Sequence, residues 1–293
     1  MATDEPLIRD ITDTALWVAA YRADETDRPD ALFRDPFARA LAGERGAAIA
    51  ANVKQRAVRY GVVLRTAVLD ELIGEAVGRG RFDAVLNLAA GLDTRPYRMD
   101  LPEQLHWIEV DMPGLVAYKE RIIGDAKAHC RLERVSLDLS DRSARRRLLV
   151  RIAAESSSVL VITEGLLAYL EPERVAELAE DLRDEPSMLE WLTDISGAHV
   201  MRGVVSAGDN LKADHLKAKG RANVRFAPAE NTAFFEPHGW REVEFRDLFL
   251  EAPRLGRDSW FGRVLRVALR VLPLRVRRDL ERTLGIVRLG RAG

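Results

Sequence analysis

The chain has 293 residues, 47% of them hydrophobic and 31% charged, with a formal net charge of −1. That is enough apolar material for one large α/β domain or two small ones, and a globular protein is expected. No apolar run is long enough to span a bilayer, and the N-terminus, with Asp4, Glu5, Arg9 and Asp10, lacks the layout of a secretion signal, so a cytoplasmic protein is expected. The single cysteine, Cys130, closes no internal disulfide. His106, His129, His199, His215 and His238 are too scattered for metal-ligand spacing, so no metal is expected.

In chain order, residues 7–80 are predicted to be mainly helical. Leu64, Val68 and Leu72, with Leu69 and Ile73 beside them, make an apolar stripe that ends at Gly78 and Gly80. Strands are predicted at 83–89, 105–111, 131–137, 158–163, 187–194, 240–247 and 285–290, most of them separated by helical patterns. Pro113 starts a helix backed by Leu115, Val116, Lys119, Ile122 and Ile123. Ser140 is placed to cap the next one. Pro172 opens a third, with Val175, Leu178, Ala179 and Leu182 on its apolar face, and Pro186 closes it. A mostly parallel, doubly wound sheet follows. Residues 196–238 separate the fifth and sixth strands by far more than an ordinary connection, and read as a lid or substrate wall over the carboxyl ends of the strands.

From Arg254 onward eleven arginines stand against Asp258, Asp279 and Glu281, which leaves that stretch near about +8 and the rest near about −9. Trp260, Phe261, Val264, Leu265, Ala268 and Leu272 recur at helical spacing within it, the pattern of a surface helix with its arginines in water. Basic and aromatic residues are not interleaved elsewhere, so no nucleic-acid partner is expected. The expected organisation is a single domain: helical cover over 7–80, core over 81–195, insertion over 196–238, and last strands with a basic helix over 239–293. The oligomeric state is left open.

The chemistry is concentrated between Ala84 and Asp111. An apolar run, Val85-Leu86-Asn87-Leu88, meets a turn at Gly91, and a second apolar run, Leu105 to Val110, ends on Asp111. A strand apolar on both faces is a buried parallel strand, and a ligand lying against its carboxyl end needs a residue without a side chain at the turn. An acid about twenty residues on, at the tip of the next strand, is placed to accept hydrogen bonds from ribose hydroxyls. A pyrophosphate-binding turn requires two further glycines, and those positions hold Ala89 and Thr94. The segment therefore predicts a nucleoside cofactor without a phosphate, and S-adenosyl-L-methionine fits that description.

The run NLAAGLDTRPYR at 87–98, the IEVD ending in Asp111, the VSLDL ending in Leu139 and the ITEGLLAYL from Ile162 to Leu170 together resemble the leucine carboxyl methyltransferase family. The resemblance keeps the family's order and spans roughly Trp17 to Arg291. It implies a class I S-adenosylmethionine-dependent methyltransferase with a seven-stranded Rossmann-like sheet whose last strand is antiparallel. It further implies that Asp111 takes the ribose, that Asp138 accepts from the adenine amino group with Leu139 against the ring, and that Glu164 faces the methionine ammonium. Arg65 matches a family arginine that pairs with the methionine carboxylate, although Ala67 departs from the basic residue common there. Gly91 lets the backbone approach the methionine portion. Asp93 and Arg95 either touch the ligand or pair with each other.

On the acceptor side the candidates are Tyr169, His199 and Tyr21, with Arg22 beside the last. The expected activity is O-methyl transfer to a small-molecule carboxylate or hydroxyl acceptor, of the kind met in secondary metabolism. A carboxylate acceptor is already ionised at neutral pH, whereas a hydroxyl needs a proton acceptor nearby. The alternatives are methylation of a protein C-terminal carboxylate and a non-catalytic binding protein on the same scaffold.

Overall fold

The runs Ala84–Leu88 (β1), His106–Asp111 (β2), Arg131–Ser136 (β3), Val159–Thr163 (β4) and Met188–Ser196 (β5) pair in parallel. Trp240–Asp247 (β6) and Leu284–Arg291 (β7) complete a seven-stranded sheet of order β3-β2-β1-β4-β5-β7-β6. β7 runs antiparallel to both its neighbours, as expected. All seven predicted strands are present, with ends that shift by at most two residues. The computed structural model describes residues 11–52, 56–196, 225–258, 282 and 284–292.

β1 and β4 are buried on both faces because helices cover both faces. Leu86, Val161 and Trp191 point into a core beneath the helices Arg142–Glu155 (α6) and Pro172–Asp184 (α7). Val85, Trp107, Leu160 and Leu192 alternate to the other face, against Arg56–Gly78 (α3). The predicted stripe Leu64, Val68, Leu69, Leu72 and Ile73 is the buried side of α3. Trp191 packs edge-on against Phe235 at 5.3 Å and Trp240 at 5.7 Å, so truncating it to alanine would cost about 3–5 kcal/mol.

Two further helices, Ile11–Thr26 (α1) and Ala38–Asn52 (α2), pack on one another and on Pro113–Ile123 (α5), joined by Leu16, Ala20, Leu41 and Leu115. They form the predicted helical cover. A short helix, Arg95–Arg98 (α4), follows the turn after β1.

One local expectation is corrected. α6 is capped by Asp141, whose carboxylate accepts from the Ala144 N–H at 3.0 Å, and not by Ser140. Ser140 instead donates its backbone N–H to Asp138, and an ionised carboxylate is the stronger acceptor for the helix end. The lid expected over 196–238 falls mostly outside the described residues. Its described end, 225–238, joins the core through buried Phe226 and Phe235, and the Arg225 N–H bonds the Ala168 carbonyl at 2.8 Å. The amphipathic pattern over Trp260 to Leu272 also lies outside the described residues.

Candidate functional site

The strand order reverses between β1 and β4, and a cleft at the carboxyl ends is the expected ligand position in such sheets. A cavity of about 490 Å³ opens there. Four acids line it, each at the end of a different strand: Asp93 after β1, Asp111 on β2, Asp138 after β3 and Glu164 after β4. Parallel pairing brings these ends into one row, which makes the cluster a product of the topology.

Gly91 and Asp111 meet directly. The Gly91 N–H donates to Asp111 Oδ2 at 2.6 Å, and the Met112 N–H donates to Oδ1 at 2.7 Å. Each carboxylate oxygen has two acceptor directions, so Asp111 retains capacity for further hydroxyl donors. Gly91 sits at φ +54, in the left-handed region, while a Cβ there would meet only Ala15 at 3.9 Å; conformation, not space, selects glycine. Ala89 adopts φ 55 in the same turn, an uncommon state for a residue with a side chain, and backbone strain of this kind gathers at binding sites.

Asp138 accepts from the Ser140 N–H at 2.9 Å, and hydrogen bonding from the Ser140 side chain, with that N–H, holds its carboxyl below the usual range. Leu137, Leu139 and the half-exposed Met112 stand near it as an apolar rim. The Leu139 carbonyl is pinned by Arg145 at 2.7 Å, and Arg145 is itself paired with buried Asp181.

At the opposite end the charges form a chain. Arg65 Nε donates to Glu164 Oε1 at 2.9 Å and Arg65 Nη1 to Asp194 Oδ2 at 3.1 Å. Arg95 Nη1 reaches both Glu164 Oε2 at 2.8 Å and Asp93 Oδ2 at 2.9 Å, and its Nε reaches Asp70 at 2.7 Å. Arg98 closes the chain on Asp70. Asp93 and Arg95 are thus paired with each other. Burial raises the Asp93 carboxyl, but Arg95 with Lys119 and Arg98 outweighs it and holds the group well below the ordinary range. Burial likewise raises Glu164, and Arg95 and Arg65 reverse the sign. Asn87 holds Asp93 with its Nδ2 at 2.9 Å, while its buried Oδ1, in a residue lining the cavity, has no partner among the described residues.

The acceptor-side candidates separate. Tyr169, in the 3-10 turn Leu167–Tyr169, lines the cavity. Burial pushes its phenol up, only partly offset by Arg65. Tyr21 does not line it: the side chain is buried against Trp17, ring to ring at 5.5 Å, and Thr14, Ala15, Trp17, Val18 and Arg22 are the α1 residues that do. Arg22 is committed to Asp35 at 2.9 Å and to the Leu92 carbonyl at 2.5 Å. His199 lies outside the described residues.

Asn87 lines the cavity, and Asp70 and Asp194 hold arginines that line it; none of the three stands out in the sequence as a site residue. Asp194 carried a signal, because it stands near the end of a strand as Asp111 does. Asp70 carried none. Away from the cavity His106, Glu133 and Glu155 gather within 4.8 Å, but Arg151 already bridges both carboxylates. No helix among the described residues is long and apolar enough to cross a membrane.

The leucine carboxyl methyltransferase family model matches residues 15–183, which include every lining residue named above except Thr14. A candidate S-adenosyl-L-methionine-dependent methyltransferase of Streptomyces avermitilis is 37% identical over 175 residues, 56% of this chain and 61% of that protein. The chain thus spans about three fifths of that relative. A similarly named protein of Rhodococcus jostii is 30% identical over 84% of this chain and 79% of its own length. Among solved structures, a candidate methyltransferase from Thermobifida fusca superposes with a TM-score of 0.59 at 14% identity, over 99% of this chain and 96% of that one, a likeness of fold. The chain belongs to the leucine carboxyl methyltransferase family.

Proposed function

We propose that this chain binds S-adenosyl-L-methionine and transfers its methyl group to an oxygen of a small-molecule acceptor, a hydroxyl or a carboxylate. The observation that carries the reading is the pairing of a Gly91 turn with the Asp111 carboxylate at the mouth of the cleft, in a turn without the glycines a pyrophosphate needs. The donor set suits the cofactor at both ends. Asp111 has acceptor capacity for a ribose, and Asp138 with Leu139 offers a polar edge and an apolar face for a base. At the other end Arg65 and Glu164 present opposite charges, their side chains 18% and 17% exposed. A zwitterion leaving water needs both of its charges answered. The linked ion pairs hold four carboxylates against three guanidiniums, an imbalance that favours a cationic ligand.

When bound, this cofactor supplies an electrophilic methyl on a good leaving group. The task of the chain is then to align the acceptor and exclude water, effects worth up to about 7–11 kcal/mol at ideal orientation. Val18, Val58, Val62, Leu166 and Leu170 give the cavity an apolar wall that suits a small organic acceptor. Tyr169 lines the same cavity, near enough to Arg65 for the guanidinium to act on its phenol. With its pKa raised, the phenol stays protonated at neutral pH, so it orients the acceptor oxygen and does not act as a base. Incubation with methyl-labelled S-adenosylmethionine and a panel of hydroxylated and carboxylated small molecules, read by mass spectrometry, tests the proposal. A labelled methyl ether or ester supports it, and label found only on a protein C-terminus would replace it with the protein-directed reading.

A further inference from the structure

β4 and β5 are locked together one residue before their polar tips. Thr163 and Thr193, both fully buried, lie in register and share a hydroxyl hydrogen bond of 2.8 Å, and Trp191 Nε1 donates to the same Thr163 oxygen at 2.8 Å. The next residues are Glu164 and Asp194, so the frame fixes two carboxylates side by side. Both are bound to Arg65.

Asp194 uses its two oxygens for two different tasks. Oδ2 accepts from Arg65 Nη1 at 3.1 Å, and Oδ1 accepts from the backbone N–H of Gly165 at 2.6 Å. Gly165 sits at φ +67, and a Cβ there would come within 3.3 Å of Arg65 Nη1 and 3.5 Å of Nη2, so the guanidinium lies close against bare backbone. With Nε on Glu164 and Nη1 on Asp194, two edges of the fork are committed. Nη2 makes no hydrogen bond among the described residues, and Arg65 lines the cavity. A planar guanidinium held in this way presents its remaining edge in one direction, the requirement for recognising a planar carboxylate.

We propose that Asp194, which does not itself line the cavity, is a positioning residue that sets Arg65 and the Glu164–Gly165 backbone to receive the amino-acid end of the cofactor. The inference rests on the reading of the cleft as an S-adenosylmethionine site. It differs from a merely structural role in what it predicts for ligands of different length. Asp194 acts on the tail of the ligand through Arg65 and has no effect on the nucleoside end, which belongs to Asp111 and Asp138.

The test compares S-adenosylhomocysteine with 5′-methylthioadenosine, which shares the nucleoside and thioether but lacks the amino-acid tail, by calorimetry on the full chain. Asp194→Asn keeps an oxygen for the Gly165 N–H and removes the charge facing Arg65. It is expected to weaken S-adenosylhomocysteine at least tenfold and to leave methylthioadenosine within twofold. Adding Asp194→Asn to Arg65→Ala should cost little more than Arg65→Ala alone, because Asp194 acts on the ligand only through Arg65. Should the asparagine chain not fold, Asp194→Glu, which keeps the charge and moves it by one methylene, carries the same expectation. Equal weakening of both ligands, or no weakening of either, overturns the proposal and leaves the site reading standing. If the wild-type chain binds neither ligand, the site reading itself fails and the proposal with it.

Discussion

The backbone N–H of Gly91 and the Oδ2 of Asp111 lie 2.6 Å apart, joining the turn after β1 to the tip of β2 across 20 residues. The bond explains how one loop and one strand end define a single corner of the cleft. It also gives Asp111 two roles: it supports the turn and offers its remaining lone pairs to a ligand. Asp111→Ala is therefore expected to weaken S-adenosylhomocysteine on the order of ten- to a hundredfold, since a charge-assisted hydrogen bond is worth about 1.5–3 kcal/mol. Calorimetry on a folded variant with unchanged affinity would remove Asp111 from the site.

The same turn makes a prediction about stability. Gly91→Ala places a side chain at φ +54 with no clash to relieve, so it should destabilise the fold by about 1–2 kcal/mol through conformation alone. Ala89→Gly, at φ 55, removes the same kind of strain but frees the unfolded chain by about 0.4–1 kcal/mol, so it should be neutral or slightly stabilising. Chemical denaturation of the two variants should give opposite or clearly unequal shifts. Equal losses would mean that the turn does not have this shape.

Much of this was legible in the sequence, for reasons that differ from residue to residue. The central strands β1 and β4 could be read because buried parallel strands are largely apolar on both faces, and Gly91 and Asp111 because a turn and a strand tip are local features. Asp194 lies at a comparable strand end, yet its role depends on the register of β4 against β5 and on Arg65 arriving from α3, neither of which has a local signature. Asp70 is on α3 and meets Arg95 and Arg98 only through tertiary packing. Tyr21 stands one turn after Trp17, which does line the cavity, but is itself buried against that ring, a tertiary detail that helical spacing does not reveal. Ser140 and Asp141 are both able to cap a helix, and their spacing to Ala144 decided between them.

Breaking the charge chain should be costly. Glu164→Ala would remove the acceptor that Arg65 and Arg95 share, while Asp194 still holds Arg65 and Asp93 and Asp70 still hold Arg95, so the cost is that of lost charge-assisted hydrogen bonds, about 1.5–3 kcal/mol. The variant should show a reduced unfolding midpoint in denaturant together with loss of S-adenosylhomocysteine binding. Wild-type stability would contradict the central place given to Glu164.

The chain of charges also sets a pH response. Asp93 and Glu164 have folded pKa values below their ordinary values, so near and below those ordinary values the unfolded chain binds more protons than the folded one. Their stabilisation is complete above about pH 4–5, the range of unfolded carboxylates, and is lost as pH falls through the depressed folded values. Unfolding free energy should therefore decline from pH 5 toward pH 3, and Asp93→Asn should flatten that slope. A variant with an unchanged slope would show that other carboxylates govern acid unfolding.

Tyr169 separates binding from turnover. Its phenol lines the cavity beside Arg65 and makes no hydrogen bond among the described residues, so Tyr169→Phe should leave S-adenosylhomocysteine affinity within about twofold. Transfer to a hydroxyl acceptor should fall roughly tenfold or more, within the range of a lost positioning contact. Steady-state kinetics that show a raised cofactor KM and an unchanged kcat would assign Tyr169 to the cofactor instead.

The most direct measurement is a calorimetric titration of the wild-type chain with S-adenosylmethionine, S-adenosylhomocysteine and NAD. The first two are expected to bind and NAD is not, because the Gly91–Asp111 corner accepts a nucleoside and the turn that holds Ala89 and Thr94 offers no seat for a pyrophosphate. Binding of NAD with no binding of either sulfur nucleoside would contradict that expectation.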